Sequence, residues 1–378
     1  MATSRCTRLG ALVAAVCMLP AWSLLAQEQN PATASSAIYV RTDSDQTTVV
    51  TPRVHLGVPV AEESRLDLVY TVDVWSSASI DIRTAASKRV VEQRDEIDVS
   101  GEHRMGDTAV GASYRYSTEY DYDSHGGTLG VSQDLANKSA NVAFTAKGYF
   151  DRVGRAGDPD FDRGTSLLSA RVALTQVLDP DTYVQGVYEL TRQEGYLSSP
   201  YRFVRIAGAA EEPPRTCVLP VSSCLPENNP EGRLRHAAAV SARHALSWSI
   251  SAGVGYRFYL DDWGMLSHTA NVDGALSIDD GWLFSLGYRF YRQGKADHYE
   301  PFYVMGELPA FYTSDKELST LTSHRVDVEL SRTWSLDDAG SELRSVLLGS
   351  PGFYQYDDFP LLDSITALEL TLSMEMRL

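Results

Sequence analysis

Cysteine is scarce in this chain: four in 378 residues, and two of them, Cys6 and Cys17, lie in the N-terminal stretch. That leaves Cys217 and Cys224, close together in a Pro-rich segment, which read as one small disulfide loop formed in an oxidising compartment. A metal site would want a fuller ligand set, and only His236 lies at all near, so none is expected. Basic residues are also in short supply, 33 Lys and Arg against 50 Asp and Glu, for a formal net charge of −17. Such a surface repels nucleic acid, which is excluded as a partner. After residue 26 there is no run of about 18 apolar residues, so no helix is expected to span a bilayer. Gly-x-Ser-x-Gly, His-Glu-x-x-His, a phosphate loop and Gly-x-Gly-x-x-Gly are all missing. Neither an enzyme nor a bound cofactor is expected.

What is present begins with Arg5 and Arg8, an apolar run from Leu9 to Leu25 and then Ala26-Gln27, the pattern of a secretory signal peptide over residues 1–26. Residues 27–36 are small and polar and read as a flexible segment, with the folded body over 37–378. The clearest element is the last. Leu368, Leu370, Leu372, Met374, Met376 and Leu378 alternate with Ala367, Glu369, Thr371, Ser373, Glu375 and Arg377. This period of two marks a strand with one apolar and one polar face, about twice the usual ~5–6 residues of a soluble strand.

The unit recurs as long strand, short turn, long strand, longer loop. Short turns fall near 61–64, 105–107, 136–138, 179–181, 245–247, 279–281 and 337–340, and longer connections near 76–93, 121–127, 152–164, 195–232, 261–266, 292–317 and 350–362. A soluble sandwich also alternates. Strand length, polar faces rich in Gly, Ser, Thr and charge, and aromatics gathered at strand ends favour a membrane barrel with two interfacial girdles. The expected fold is all-β: a transmembrane antiparallel up-and-down β-barrel of 16 strands, with short periplasmic turns and long extracellular loops, in the bacterial outer membrane. Pro52 and Pro59 sit awkwardly in the second strand.

Several segments in order carry a resemblance: Asp73-Val-Trp-Ser-Ser-Ala-Ser, Ser117-Thr-Glu-Tyr-Asp-Tyr-Asp-Ser-His125, Thr175-Gln-Val-Leu178, Gly195-Tyr-Leu-Ser-Ser-Pro-Tyr-Arg202, Tyr256-Arg-Phe-Tyr-Leu-Asp-Asp-Trp-Gly264 with His268-Thr269, and Phe290-Tyr-Arg-Gln-Gly-Lys-Ala296. Together the chain resembles a family of uncharacterised bacterial outer-membrane β-barrel proteins, domain of unknown function 3570. The resemblance implies an outer-membrane barrel and supplies no catalytic residue.

Among candidate site residues, Asp73, Arg115, Glu119, Arg171, Arg257, Asp273 and Arg289 lie opposite the apolar faces and are expected to line the lumen. Asp261, Asp262, Trp263, His268, Asp297 and His298 form an acid, aromatic and histidine cluster expected at the extracellular rim. Such a cluster serves as a solvated rim with a girdle, as a divalent-cation or lipopolysaccharide contact, or, less in keeping with the pattern, as a hydrolytic site. The loop 195–232 either folds over the pore or stays at the surface under its disulfide. Acids outnumber bases on the inward faces, so the functional expectation is a passive porin-like channel with mild cation preference. A plugged structural or surface-binding barrel is the alternative. Outer-membrane lipid, lipopolysaccharide and the barrel assembly machinery are the expected partners.

Overall fold

The structure is a computed structural model that describes residues 31–77, 79, 90–208, 217, 223–278, 281–338 and 340–378. The expected signal peptide lies outside the described residues. The first nine strands are β1 (Thr33–Asp43), β2 (Thr47–Ala61), β3 (Ser64–Ser77), β4 (Val90–Met105), β5 (Thr108–Glu119), β6 (Tyr122–Leu135), β7 (Ala140–Arg155), β8 (Asp158–Asp179) and β9 (Thr182–Gly195). Two short ones follow, β10 (Phe203–Ala207) and β11 (Cys224–Pro226). The rest are β12 (Gly232–Ala245), β13 (Ile250–Asp261), β14 (Leu266–Ile278), β15 (Trp282–Gln293), the two-residue β16 (Tyr303–Val304), β17 (Leu321–Ser335), β18 (Glu342–Tyr356) and β19 (Ser364–Arg377).

All but β10, β11 and β16 form one closed antiparallel barrel of 16 strands, sealed where β1 pairs with β19 from Thr33↔Arg377 to Asp43↔Ala367. Closure removes the edges of the barrel sheet, so the ladders pair the wall's backbone donors and acceptors without water except where they lapse beside prolines. The side chains divide by parity. On β19, Leu368, Leu370, Leu372, Met374 and Met376 are 36–50 % exposed, all on the outer wall. Ile38, Val54, Leu56, Leu68, Val172, Val254 and Leu286 continue that apolar belt around the ring. A water-soluble protein would bury such a surface; a lipid-facing one gains by exposing it to hydrocarbon.

Two prolines show how the wall tolerates a missing donor. The β2–β3 ladder passes from Val50↔Val74 to Arg53↔Thr71, lapsing at Pro52, and there the Thr51 hydroxyl donates to Asp73 at 2.5 Å. The β17–β18 ladder lapses likewise beside Pro351, where the Ser350 hydroxyl donates to Asp327 at 2.6 Å. A side-chain hydroxyl thus restores the cross-strand link that proline cannot make.

Short turns gather at one end of the barrel and the long connections 196–231, 294–320 and 357–363 at the other. In the β6–β7 turn Ala136, Asn137 and Lys138 all take positive φ (49, 55 and 66°). Three expectations need correction. The segments 121–127 and 152–164 are not loops: β5 and β6 meet at Tyr120-Asp121, and β7 and β8 at Ala156-Gly157. Both stretches continue the strand alternation into polar sequence, where no apolar face marks the extension. At the other terminus β1 starts at Thr33, inside the stretch 27–36 read as flexible, because pairing with β2 and β19 supplies the order that its small residues do not advertise.

Candidate functional site: the capped mouth and the lumen

Apart from Ser77 at the end of β3, the most deeply buried large side chains lie outside the barrel wall. Tyr299, Ile206, Val204, Thr313, Cys217 and Ser319 are under 2 % exposed, and all belong to the two longest connections. Those connections fold together: β11 pairs antiparallel with β10, and β10 pairs in parallel with β16. Val204, Ile206 and Tyr303 form the core of this small sheet. Asn228 and Tyr312 exchange backbone hydrogen bonds of 2.8 and 2.9 Å, and Arg205 donates to the Pro301 carbonyl at 2.7 Å. A Cys217–Cys224 disulfide staples β11 to its own loop. Buried Glu227 accepts from the Thr313 hydroxyl at 2.8 Å and faces Arg202 at 3.8 Å, while Arg202 also pairs with Asp315. Burial pushes the Glu227 carboxyl up, against the pull of Arg202.

This assembly is a cap seated on inward-facing wall residues. Tyr299 packs with Trp263, Met265, Ala296 and Leu318, with Leu197 and the inward Tyr259 of β13 alongside. The Tyr299 hydroxyl donates to the Asp358 carbonyl at 3.0 Å, so one side chain joins three outer connections. From the end of β15, Gln293 donates to the carbonyls of Glu317 and Ser319 at 2.8 Å each. Across the mouth, the Tyr201 hydroxyl bonds Asp121 of the β5–β6 turn and accepts from the Ala156 amide at 2.5 Å. The cap therefore reaches from the β5–β6 turn to the β18–β19 connection.

The rim cluster expected from sequence converges except for one member. Asp261 is the fixed point: its carboxylate, with no exposed surface, takes Arg233 Nη2 at 2.5 Å and Nε at 2.9 Å, the Tyr259 hydroxyl at 2.6 Å, and the Trp263 and Met265 amides at 3.0 Å each. Arg233 lies over the Trp263 ring, 4.3 Å from its centroid, and His298 meets that ring edge-on at 4.9 Å. Asp262 accepts from the Leu234 amide at 2.9 Å. Asp297 sits beside Gly264, whose φ of 80° suits glycine, at a point where an added Cβ would stand 2.2 Å from its Oδ1. His298 Nε2 donates to Asn229 Oδ1 at 3.0 Å, and burial, aided by Arg233, lowers its pKa. His268 is elsewhere: it faces outward on β14, with its Nδ1 2.6 Å from the Tyr256 hydroxyl.

That outward pair is one of four. Tyr114–His125, Tyr188–His236 and Tyr288–His324 repeat it at 2.7 Å on the hairpins β5–β6, β9–β12 and β15–β17. On β3–β4 the same place is filled by Tyr70 donating to Asp95 at 2.6 Å. Each pair lies on the outer wall near the capped end, where amphipathic rings with satisfied polar tips suit a lipid headgroup zone. Sequence reasoning expected aromatics at strand ends but did not foresee these tyrosine–histidine pairs. The signal available was a His on the apolar parity a few residues after an outer connection. His236 is thereby engaged on the outer wall, away from the disulfide.

Inside, the seven expected lumen residues all fall on inward parity, dispersed around the ring. Asp73 pairs with Arg94, Arg115 with Glu96, and Asp273 with Arg243. Arg171 stands across from Glu189 in the β8–β9 register, and Glu119 ends β5 beneath the cap. Arg257 and Arg289 lie on β13 and β15. Among the described residues no three His, Cys, Asp or Glu side chains group as a metal site. Near the short-turn end, a cavity of about 240 Å³ opens between Gly281, Ser331, Glu342, Arg344, Glu375 and Arg377.

Residues 162–341 match the family described as protein of unknown function, DUF3570. No curated protein matches the chain. Among solved structures, it is similar to a bacterial polysaccharide outer membrane secretin, with 10 % identity over 93 % of this chain and 99 % of that one and a TM-score of 0.52. It is more distantly similar to the CymD monoaromatic hydrocarbon channel, with 11 % identity over 93 % of this chain and 90 % of that one and a TM-score of 0.44. The first likeness shows the fold, that of an outer-membrane β-barrel.

Proposed function

We propose that the protein is a porin-like channel of the bacterial outer membrane that passes small polar solutes, with a mild preference for cations and an outer mouth governed by its cap. The observation that carries this reading is the lining. Acids and arginines occupy the inward parity of strand after strand, paired as Arg94–Asp73, Arg115–Glu96 and Arg243–Asp273, as suits a wet interior rather than a packed one. Asp67, Asp73, Glu96, Asp98 and Glu102 line β3 and β4; the first three are paired with Arg65, Arg94 and Arg115, and Asp98 and Glu102 are left to favour cations along that wall. The outer belt meets lipid and, in the outer leaflet, lipopolysaccharide; insertion is the work of the barrel assembly machinery.

A second reading, a plugged surface-binding barrel, is favoured by the cap's own buried cores and its disulfide. A hydrolytic rim has less support, since Asp261 is saturated by donors and His268 faces the other side of the wall. The test is single-channel recording in a planar bilayer under a salt gradient, on the wild type and on a variant in which residues 198–229 are replaced by a short Gly-Ser linker. The channel reading expects larger conductance in the variant and a reversal potential of cationic sign. Silence from both proteins would refute it in favour of the plugged barrel, and an anionic sign would refute the preference.

A further inference from the structure

We infer that the lumen wall of β13, β15 and β17 holds a binding site for an oxyanion group, a carboxylate, sulfate or phosphate, built by Arg257, Arg289 and Arg325. Register is the first ground. Arg289 on β15 stands directly opposite Arg325 on β17, both inward, and like charges in that relation destabilise a sheet unless something lies between them. Arg257 is two strands from Arg289 and one inward row nearer the mouth, since Arg257 faces Thr269, which faces Tyr291, while Asn271 faces Arg289. With strands about 4.8 Å apart and a row offset of two residues at about 3.3 Å each, the backbones of Arg257 and Arg289 are separated by roughly 12 Å, within the joint reach of two arginine side chains.

The second ground is the missing counter-charge. Several inner-wall arginines come with an acid: Arg41 with Glu369 at 3.4 Å, Arg94 with Asp73, Arg115 with Glu96, Arg243 with Asp273; among the described residues Arg53, Arg171 and Arg235 have no ion pair, Arg235 bonding Gln193 Oε1 at 2.5 Å, but these stand singly and not in a group of three. Arg325 itself has Asp327 at 3.0 Å and Glu369 at 3.8 Å, so its part in the site is secondary to that of Arg257 and Arg289. Among the described residues Arg257 and Arg289 have no such partner, and the Nε of Arg289 is buried without a hydrogen bond. With 50 acids against 33 bases in the chain, this is not for want of carboxylates. A forked guanidinium donor left open is matched by a group with two or more acceptor oxygens.

Position is the third ground. Tyr291, in the row of Arg257, packs beneath the cap's second core of Leu321, Tyr356, Phe359 and Ile365, so the site lies at the underside of the cap. In the ring order, β14 at the centre of this wall is diametrically opposite β4, the centre of the acidic wall. A cation path along β3 and β4 and an anion site across from it can therefore coexist. The inference does not depend on the channel reading, because binding requires an accessible lumen and not a conducting one.

The test uses the full-length mature barrel in detergent, unfolded by heat in a chloride background of fixed ionic strength with low-millimolar sulfate, inorganic phosphate or acetate. In the wild type each divalent probe should raise the unfolding temperature saturably, with acetate weaker. Arg257→Gln and Arg289→Gln should each weaken the apparent sulfate affinity about tenfold or more, the worth of one charge-assisted contact. Lys147→Gln, on β7 four strands round the ring from β13, should behave as the wild type. Without added oxyanion and at low salt, Arg289→Gln should unfold no lower than the wild type, because a repulsion is removed. An equal shift in all four proteins would mean ionic screening only and would overturn the site. So would no saturable shift in the wild type, or a lower unfolding temperature of Arg289→Gln without oxyanion.

Discussion

Replacing Asp261 by Ala should open the cap while leaving the barrel closed. The carboxylate is wholly buried and holds five donor atoms, two from Arg233, one from Tyr259 and the Trp263 and Met265 amides. Removing one partner of a buried ion pair costs about 3–5 kcal/mol, chiefly because the other charge is left without compensation. Arg233 keeps part of its stabilisation from the Trp263 ring at 4.3 Å, which argues for the low end of that range. At about 3 kcal/mol, and with about 1.4 kcal/mol for each factor of ten, local opening should become roughly 150-fold more frequent. The readout is hydrogen exchange resolved by segment: amides of 262–266 and 294–300 should lose protection by about that factor, and the β1–β19 seam should be unchanged. Asp262→Ala, an exposed neighbour with one backbone bond, is the control. Equal effects of the two substitutions, or an Asp261→Ala change below about threefold, would refute the assignment of Asp261 as the pin of the cap.

Reduction of the Cys217–Cys224 disulfide releases a very short loop, so the chain-entropy estimate is about 2.5 kcal/mol; the loss should appear as protease cleavage within 196–231 while heat-modifiability of the barrel persists. For His298, burial holds the folded pKa below the unfolded value near 6.5, so its neutral form favours the folded cap. Stability from this group is complete above about pH 6.5 and falls as the pH drops toward the lowered folded value; cleavage in 294–320 should rise from pH 7 to 5 in the wild type and stay flat in His298→Gln. Leu370→Arg, at the middle of the lipid-facing row of β19, should cost about 2–4 kcal/mol in a reversible folding titration into vesicles, and the inward Thr371→Arg markedly less. Equal costs would refute the assignment of faces.

What could be read from residue order and what could not divide along the range of the forces involved. A strand announces itself locally: the alternation from Leu368 to Leu378 is visible because each residue's face depends only on its parity. The strand number followed because turn chemistry at Gly106, Asn137 and Gly281 punctuates the pattern. The cap was illegible for the opposite reason. Its contacts join segments far apart in the chain, such as Tyr201 with Asp121 and Tyr299 with Asp358, and nothing periodic in 196–231 or 294–320 records which loop meets which. His268 was misplaced by a related error. Proximity to Asp261 in the chain suggested a shared rim, but the two residues differ in parity, and parity sends one side chain to the Tyr256 hydroxyl outside and the other to Arg233 within.

Charge selectivity shows the same limit most sharply. Counting acids and bases on the inward faces treats the lumen as a uniform medium, and the excess of acids then argues for cations. A solute, however, meets charges at particular strands, and the register decides which of them are neutralised. Arg115 and Glu96 cancel across one ladder, whereas Arg289 faces Arg325 across another. Field strength in a confined path follows the uncancelled groups, because a close pair is a dipole whose effect decays faster than that of a lone charge. Asp67, Asp73 and Glu96 are cancelled by Arg65, Arg94 and Arg115, so it is Asp98 and Glu102 of β4 and the arginines of β13 and β15 that oppose one another across the lumen instead of averaging. A solute bearing both signs would be oriented by such a pair of walls, and one bearing a single sign would be drawn to one of them.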